Sequence, residues 1–125
     1  MEVKMYRLGI IEESIDDNRI LEKAKQFFIS QRIEEVPEDT CPIWHTNEYH
    51  VLDDDLEDLL PVLEQHIKST WYIHAFNDDN LYVILKNKSF RISREKDDSW
   101  NQMIEYGVNA AKVERIYLEN IPLHI

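Results

Sequence analysis

Hydrophobic and polar positions along the chain follow two periods, which separate predicted strands from predicted helices. In residues 3–11, Tyr6, Leu8 and Ile10 occupy every second position, as in a half-buried strand. In residues 16–28 the apolar side chains instead recur at helical spacing. The same test predicts, in chain order, a strand at 3–11, a helix at 16–28, strands at 30–36 and 43–52, a helix at 53–67, strands at 71–76, 81–86 and 89–93, and a helix at 99–111.

The order of these elements predicts an α+β fold in a single domain that spans residues 1–125. Its first six elements follow the β-α-β-β-α-β order of ferredoxin-like folds, extended by a hairpin and a C-terminal helix. We expect a mostly antiparallel sheet of five or six strands, with three helices packed mainly on one of its faces. Residues 113–125 mix apolar and polar positions without a period that assigns them to an element.

Polar residues near the predicted helix starts indicate how each helix is capped. Ser14 is a candidate N-cap of the first helix, and the acids at 53–55 are candidates for the second. Ser99 and Gln102 have the spacing of a capping box at the start of the third helix. Pro61 lies inside the second helical pattern, so it should kink that helix or shorten its regular part.

Residue composition excludes several function classes. The one cysteine, Cys41, excludes an internal disulfide framework and a cysteine-rich zinc site. The two glycines, Gly9 and Gly107, are too few for a phosphate-binding loop or a dinucleotide fingerprint, and no G-x-S-x-G elbow occurs. We therefore expect no cofactor and favour a non-enzymatic role, although the question of catalysis stays open.

Charge and hydropathy also limit the partners and the location of the protein. The 14 Lys+Arg and 25 Asp+Glu give a net charge of 14 − 25 = −11, which repels phosphate backbones and argues against nucleic-acid binding. No stretch approaches the roughly 18 apolar residues that span a bilayer, and the first residues lack the apolar core of a signal peptide. We therefore expect a cytoplasmic protein without membrane contact.

The negative charge is confined to the first part of the chain. Residues 1–67 hold 6 Lys+Arg and 17 Asp+Glu (6 − 17 = −11), whereas residues 68–125 hold 8 of each (8 − 8 = 0). These acids either form an ordinary solvated surface or steer a basic protein partner, as in inhibitor, immunity and adaptor proteins. For the second interpretation we expect a partner surface that includes Glu34, Glu35, Trp44, Glu48, His50, Asp54 and Asp58. Charge reversal at Asp54 and Asp58 should then weaken binding.

Two alternative functions remain open. A sheet with helices on one face leaves an open face, where His50, His74 and Tyr72 are the first candidates for a small-molecule or catalytic site. Exposed strand edges, or the unassigned residues 113–125, could instead build a homo-oligomer, so the oligomeric state is undetermined.

No metal site is expected from the histidines. On a strand, alternation places His45 on the face opposite to Glu48 and His50, so three ligands converge only with a bulge or with help from His74. Cys41 and His45 are a conceivable nucleophile pair, but no third residue that would orient them is evident.

Overall fold

A computed structural model describes residues 4–125, in which six strands and four helices follow one another. The strands are β1 (Met5–Ile11), β2 (Phe28–Glu35), β3 (Ile43–Leu52), β4 (Ile73–Phe76), β5 (Leu81–Leu85) and β6 (Lys88–Ile92). The helices are α1 (Arg19–Ala24), α2 (Asp53–His66), α3 (Ser99–Asn109) and α4 (Arg115–Glu119). Two 3-10 turns, Glu12–Ser14 and Lys25–Phe27, flank α1.

The six strands form one antiparallel sheet in the order β2-β3-β1-β4-β5-β6. Because β3 lies between β1 and β2, the first two strands run in the same direction without touching. The predicted α+β class and antiparallel sheet are confirmed, while the ferredoxin-like assignment stays a prediction. The predicted strand at 43–52 coincides with β3, and β1 begins at Met5, with Val3 outside the described residues.

One face of the sheet is covered by α1 and α2. Tyr6, Leu8 and Ile10 of β1 project onto this face, because alternate strand residues point the same way. They pack in one buried cluster with β3, β4, β5, the two helices and Ile67, the residue after α2; the helices contribute Ile20, Ala24, Leu56, Leu59 and Leu63. We call this the helix-covered face.

The opposite face is covered over half of its width only. There α3, α4 and the residues after α3 pack on β4, β5 and β6 in a second buried cluster that includes Val83, Leu85, Trp100, Met103, Val113 and Leu118. The expectation that helices pack mainly on one face is therefore wrong. No helix covers the same face of β1, β2 and β3 among residues 4–125, and we call this part the open half-face.

The first helix is shorter than its periodicity predicts. The helical spacing suggested 16–28, but α1 ends at Ala24, a 3-10 turn follows, and β2 begins at Phe28. Phe28 contacts Tyr49 edge-on across the sheet, with ring centroids 5.9 Å apart. This cross-strand contact and the strand propensity of aromatic and β-branched residues outweigh the helical pattern here.

The helix starts differ from the caps that the sequence suggested. The Ser14 side chain lies in a 3-10 turn and donates to the Ile11 carbonyl at 2.6 Å. Ser99 is the first residue of α3, where its hydroxyl donates to the Asp97 carboxylate at 2.6 Å. The three acids from Asp53 onward fill the first turn of α2. Their negative charges interact favourably with the positive end of the helix dipole, but no side chain makes a capping hydrogen bond.

Pro61 neither ends nor shortens α2, which continues to His66. Because proline has no N–H, the helix lacks one internal hydrogen bond at this exposed position. We expect Pro61→Ala to raise the free energy of unfolding by about 2 kcal/mol. Alanine has the higher helix propensity, and part of this gain is offset because the unfolded chain without proline has more conformational entropy. Urea unfolding measures this change, and an unchanged midpoint would show that the helix already accommodates the proline.

Candidate functional site

The open half-face is the floor of a groove with a volume of about 740 Å³. Its walls come from the loop after β2, from residues 70–72, from α4 and from residues 122–125. The groove therefore lies where the covered half of this face meets the open half, and its walls come from segments distant in sequence.

A glycine allows the last residues of the chain to lie close to the sheet. A Cβ atom at Gly9 would lie 3.2 Å from the Ile125 Cγ1 atom and 3.2 Å from the His74 Cε1 atom, which is tighter than an ordinary contact. Ile125 and His74 therefore both lie over the β1 backbone at Gly9, and both line the groove. The His74 Nε2 atom lies 3.3 Å from the His124 carbonyl oxygen.

The two polar rings deepest in the groove remain neutral near pH 7. Burial lowers the pKa of His74 to about 4, because a charged imidazolium would lose its water shell. Burial also raises the pKa of Tyr72 to about 12. These two rings therefore add no charge to the groove near pH 7.

Two tryptophans form an aromatic wall. Trp44 of β3 and Trp71, just before β4, meet edge to face with ring centroids 5.2 Å apart. The Trp44 Nε1 atom donates to the Cys41 carbonyl at 2.8 Å, so the loop after β2 fixes the orientation of the ring. Tyr117 of α4 contributes a further half-exposed ring to the lining. Such rings attract cations through the negative face of their π-systems.

The charged side chains that line the groove are mostly acidic: Glu34, Glu38, Asp39 and Glu114, against Arg32 and Lys112. The Arg32 Nη2 atom lies 2.6 Å from the Glu34 Oε1 atom, so these two charges offset each other. The Lys112 ammonium donates to the Asn109 carbonyl at 2.8 Å. The exposed carboxylates of Glu38 and Glu114 leave the groove with a net negative charge.

Next to the groove, a polar network lies across β1 and β3 on the open half-face. Arg7 donates to both carboxylate oxygens of Glu48, at 3.0 and 3.2 Å, and the His50 Nε2 atom lies 2.8 Å from Glu48 Oε2. The hydrogen bonds from Arg7, and secondarily from His50, hold the pKa of Glu48 below its usual value. Glu48 is thereby kept as a carboxylate that orders its two neighbours.

The seven residues predicted for a partner surface fall on three parts of the molecule. Glu34 and Trp44 line the groove, and Glu48 and His50 lie beside it on the same face. The other three are elsewhere: Glu35 pairs with Ile43 on the helix-covered side of the sheet edge, and Asp54 and Asp58 are exposed on α2. Acids that are close in sequence, such as Glu34 and Glu35, thus lie on opposite faces of the sheet.

The histidines do not converge on a common centre. His45 lies on the helix-covered side, where its Nδ1 atom is 2.6 Å from Glu13 Oε2 and where this carboxylate raises the pKa of the ring. Within the described part of the chain, no three His, Cys, Asp or Glu side chains are grouped so that they could hold a metal ion. Cys41 lines the groove, whereas the His45 ring is held by Glu13, so the conceivable Cys41–His45 pair is not assembled.

Sequence reasoning missed the groove residues that come from the end of the chain. Glu114, Tyr117 and Ile125 reach the groove through a short helix and the residues around it, in a segment that shows no clear period. The one usable signal was the apolar residues within 113–125, which indicated that this segment packs on something.

The chain is an α+β protein with a groove on one antiparallel sheet, and comparison with known proteins adds no further identification. No family model, no curated protein sequence and no solved structure matches it. Among the helices of residues 4–125, none has the length and apolar character needed to cross a membrane.

Proposed function

We propose that this protein is a non-enzymatic interaction module that binds a basic segment of a partner protein in the groove of the open half-face. The observation that supports this function is the combination, in one groove, of the Trp44–Trp71 wall with the exposed carboxylates of Glu38 and Glu114. An arginine or lysine side chain is the protein group that such a combination suits best, since it is attracted both by the rings and by the carboxylates.

The proposal places the partner-binding surface in the groove, whereas the sequence suggested a surface that included Asp54 and Asp58 of α2. The acids of α2 are exposed, but they project from a helix without a concave surface or aromatic side chains among them. Carboxylates on such a convex surface contribute little to affinity, because water and salt screen them. In the groove, the walls exclude part of the solvent and the rings supply apolar contact, so charge and shape act on the same ligand.

The first test is a titration of the protein with a short peptide of alternating arginine and glycine, with tryptophan fluorescence as the measure of binding. We expect saturable binding that weakens with added salt, and about a tenfold loss of affinity in the double variant Glu38→Lys/Glu114→Lys, since two attractions become repulsions. The peptide in which glutamine replaces arginine should not bind, because it carries no cation for the rings or the carboxylates.

The matched control is the double variant Asp54→Lys/Asp58→Lys on α2, which changes the net charge by the same amount. We expect it to bind the arginine peptide within about twofold of the original chain, apart from weak long-range effects. Equal losses in the two double variants would mean that only net charge matters, and the groove proposal would then be wrong.

A further inference from the structure

Strand β2 presents a long, exposed edge to solvent. Seven of its eight residues are exposed, and Ile29 and Ile33 have 52% and 63% of their surface accessible. β2 is the last strand of the sheet, so within residues 4–125 its outer backbone edge has no pairing strand. Proteins usually protect such edges with short strands, prolines, bulges or charged side chains, because an open edge pairs readily with another strand. β2 has an irregularity between Phe28 and Ser30, so the regular part of its outer edge is Gln31–Glu35, where Arg32 and the two glutamates carry opposite charges.

Hydrogen bonds at the β2–β3 junction show which backbone groups point outward. The Val36 N–H donates inward to the Pro42 carbonyl at 2.7 Å. The N–H of His45, which lies opposite Ile33, points away from β2 and donates to Glu13 at 2.7 Å. Along an edge strand, the backbone N–H and C=O groups of successive residues point alternately toward the neighbouring strand and away from it. Because Val36 points toward β3, the groups of Gln31, Ile33 and Glu35 point to the outer edge.

We propose that two copies of this chain pair through their β2 edges, antiparallel and centred on Ile33, to form one continuous sheet. In this register Ile33 lies opposite its own copy, and Arg32 lies opposite Glu34 of the second copy. Opposite residues in an antiparallel pair that do not share backbone hydrogen bonds bring their side chains closest together. Arg32 and Glu34 already pair within each chain at 2.6 Å, and the twofold axis places two such pairs side by side, so each charge faces an opposite charge of the second copy.

The ends of the ladder fit the same register. Gln31 lies opposite Glu35 of the second copy, and the outward groups of the three residues form about six backbone hydrogen bonds, two for each such pair. Pro37 would be the next outward position, and it has no N–H to donate, so the ladder ends there. A twofold axis normal to the sheet leaves both grooves on the same side of the dimer.

The other edge of the sheet does not offer this fit. β6 is five residues long and carries the cations Lys88 and Arg91. A copy of β6 placed against itself brings like charges together, which disfavours pairing. Pairing of β2 with β6 of another copy would leave open edges at both ends and would grow into filaments rather than close as a dimer.

Sedimentation equilibrium over a range of concentrations tests the dimer without any ligand, so its failure would not bear on the groove. We expect the original chain at twice the mass of one chain and Ile33→Lys at the mass of one. The control Ile116→Lys changes an isoleucine of the same 63% exposure on α4 and should remain dimeric. Arg32→Glu alone should dissociate the dimer, and Arg32→Glu/Glu34→Arg should restore it, since the swap recreates both pairs.

A chain that sediments as a monomer at the highest concentration it tolerates would overturn the proposal. A dimer that survives Ile33→Lys, or a double swap that fails to restore association while circular dichroism shows an intact fold, would overturn the proposed register. Concentration-dependent growth beyond a dimer would favour β2–β6 pairing and would contradict the closed assembly.

Discussion

Between pH 7 and pH 4 the protein should lose about 3 kcal/mol of unfolding free energy through His74 alone. In the unfolded chain this ring takes up a proton near pH 6.5, whereas burial lowers its pKa in the folded chain to about 4. Over that range the unfolded state binds more protons than the folded state, so stability falls as the pH falls. Above about pH 7 the contribution of His74 is constant, because both states hold the neutral ring.

Urea unfolding of the original chain and of His74→Gln, at matched pH values from 7 to 4, isolates this contribution. Glutamine does not titrate but keeps an amide donor for the His124 carbonyl. We expect the difference in unfolding free energy between the two proteins to shift by about 3 kcal/mol over this range, in favour of the variant at low pH. The carboxylates with lowered pKa values, such as Glu48, are present in both proteins and cancel in the difference. A constant difference would mean that His74 is solvated in the folded protein.

The effect of Gly107→Ala on the free energy of unfolding should depend on the residue at position 118: destabilising with leucine there and stabilising with alanine. A Cβ atom at Gly107 would overlap the Leu118 Cδ1 atom, so α4 packs against α3 at a point where any larger residue forces the buried Leu118 side chain to shift. In the original chain we expect Gly107→Ala to cost about 1–2 kcal/mol, since overpacking exceeds the gain in helix propensity. Leu118→Ala alone, which empties a fully buried site, should cost about 2–5 kcal/mol.

In the Leu118→Ala background the same glycine substitution should stabilise the protein by about 1 kcal/mol. The clash is gone, the new methyl group occupies part of the cavity, and alanine favours the helix. A double-mutant cycle by urea unfolding measures this coupling. If Gly107→Ala stabilises the original chain as well, then α4 does not pack on α3 as described.

Periodicity predicted most of the sheet, and its failures have physical causes. The strands β3, β4 and β5 combine alternation or buried apolar runs with turn residues, such as Asn77, whose side chain accepts two backbone N–H groups at 2.8 Å. The first helix was overextended because Phe27 and Phe28 fit a helical face as well as they fit a strand. Local pattern alone does not decide between these states, since the contact of Phe28 with Tyr49 is between residues distant in sequence.

The candidate site was predicted only in part, because acidic side chains give no information about the face on which they lie. Glu34 and Trp44 were placed near the site for their charge and aromatic character, and both line the groove. Asp54 and Asp58 have the same charge and lie close to β3 in sequence, yet they lie on the other side of the sheet. The missing information was the strand order and the packing of residues 113–125 against the sheet.

The most direct test of the central claim is a heteronuclear NMR titration of the chain with the arginine–glycine peptide, read at the three indole N–H groups. Trp44 and Trp71 line the groove, while Trp100 is buried under β6 and donates to the Ser93 carbonyl, so it serves as an internal control. We predict that the Trp44 and Trp71 signals shift with the peptide and that the Trp100 signal does not. Shifts confined to backbone amides of α2, with both groove indoles unmoved, would contradict the proposed function.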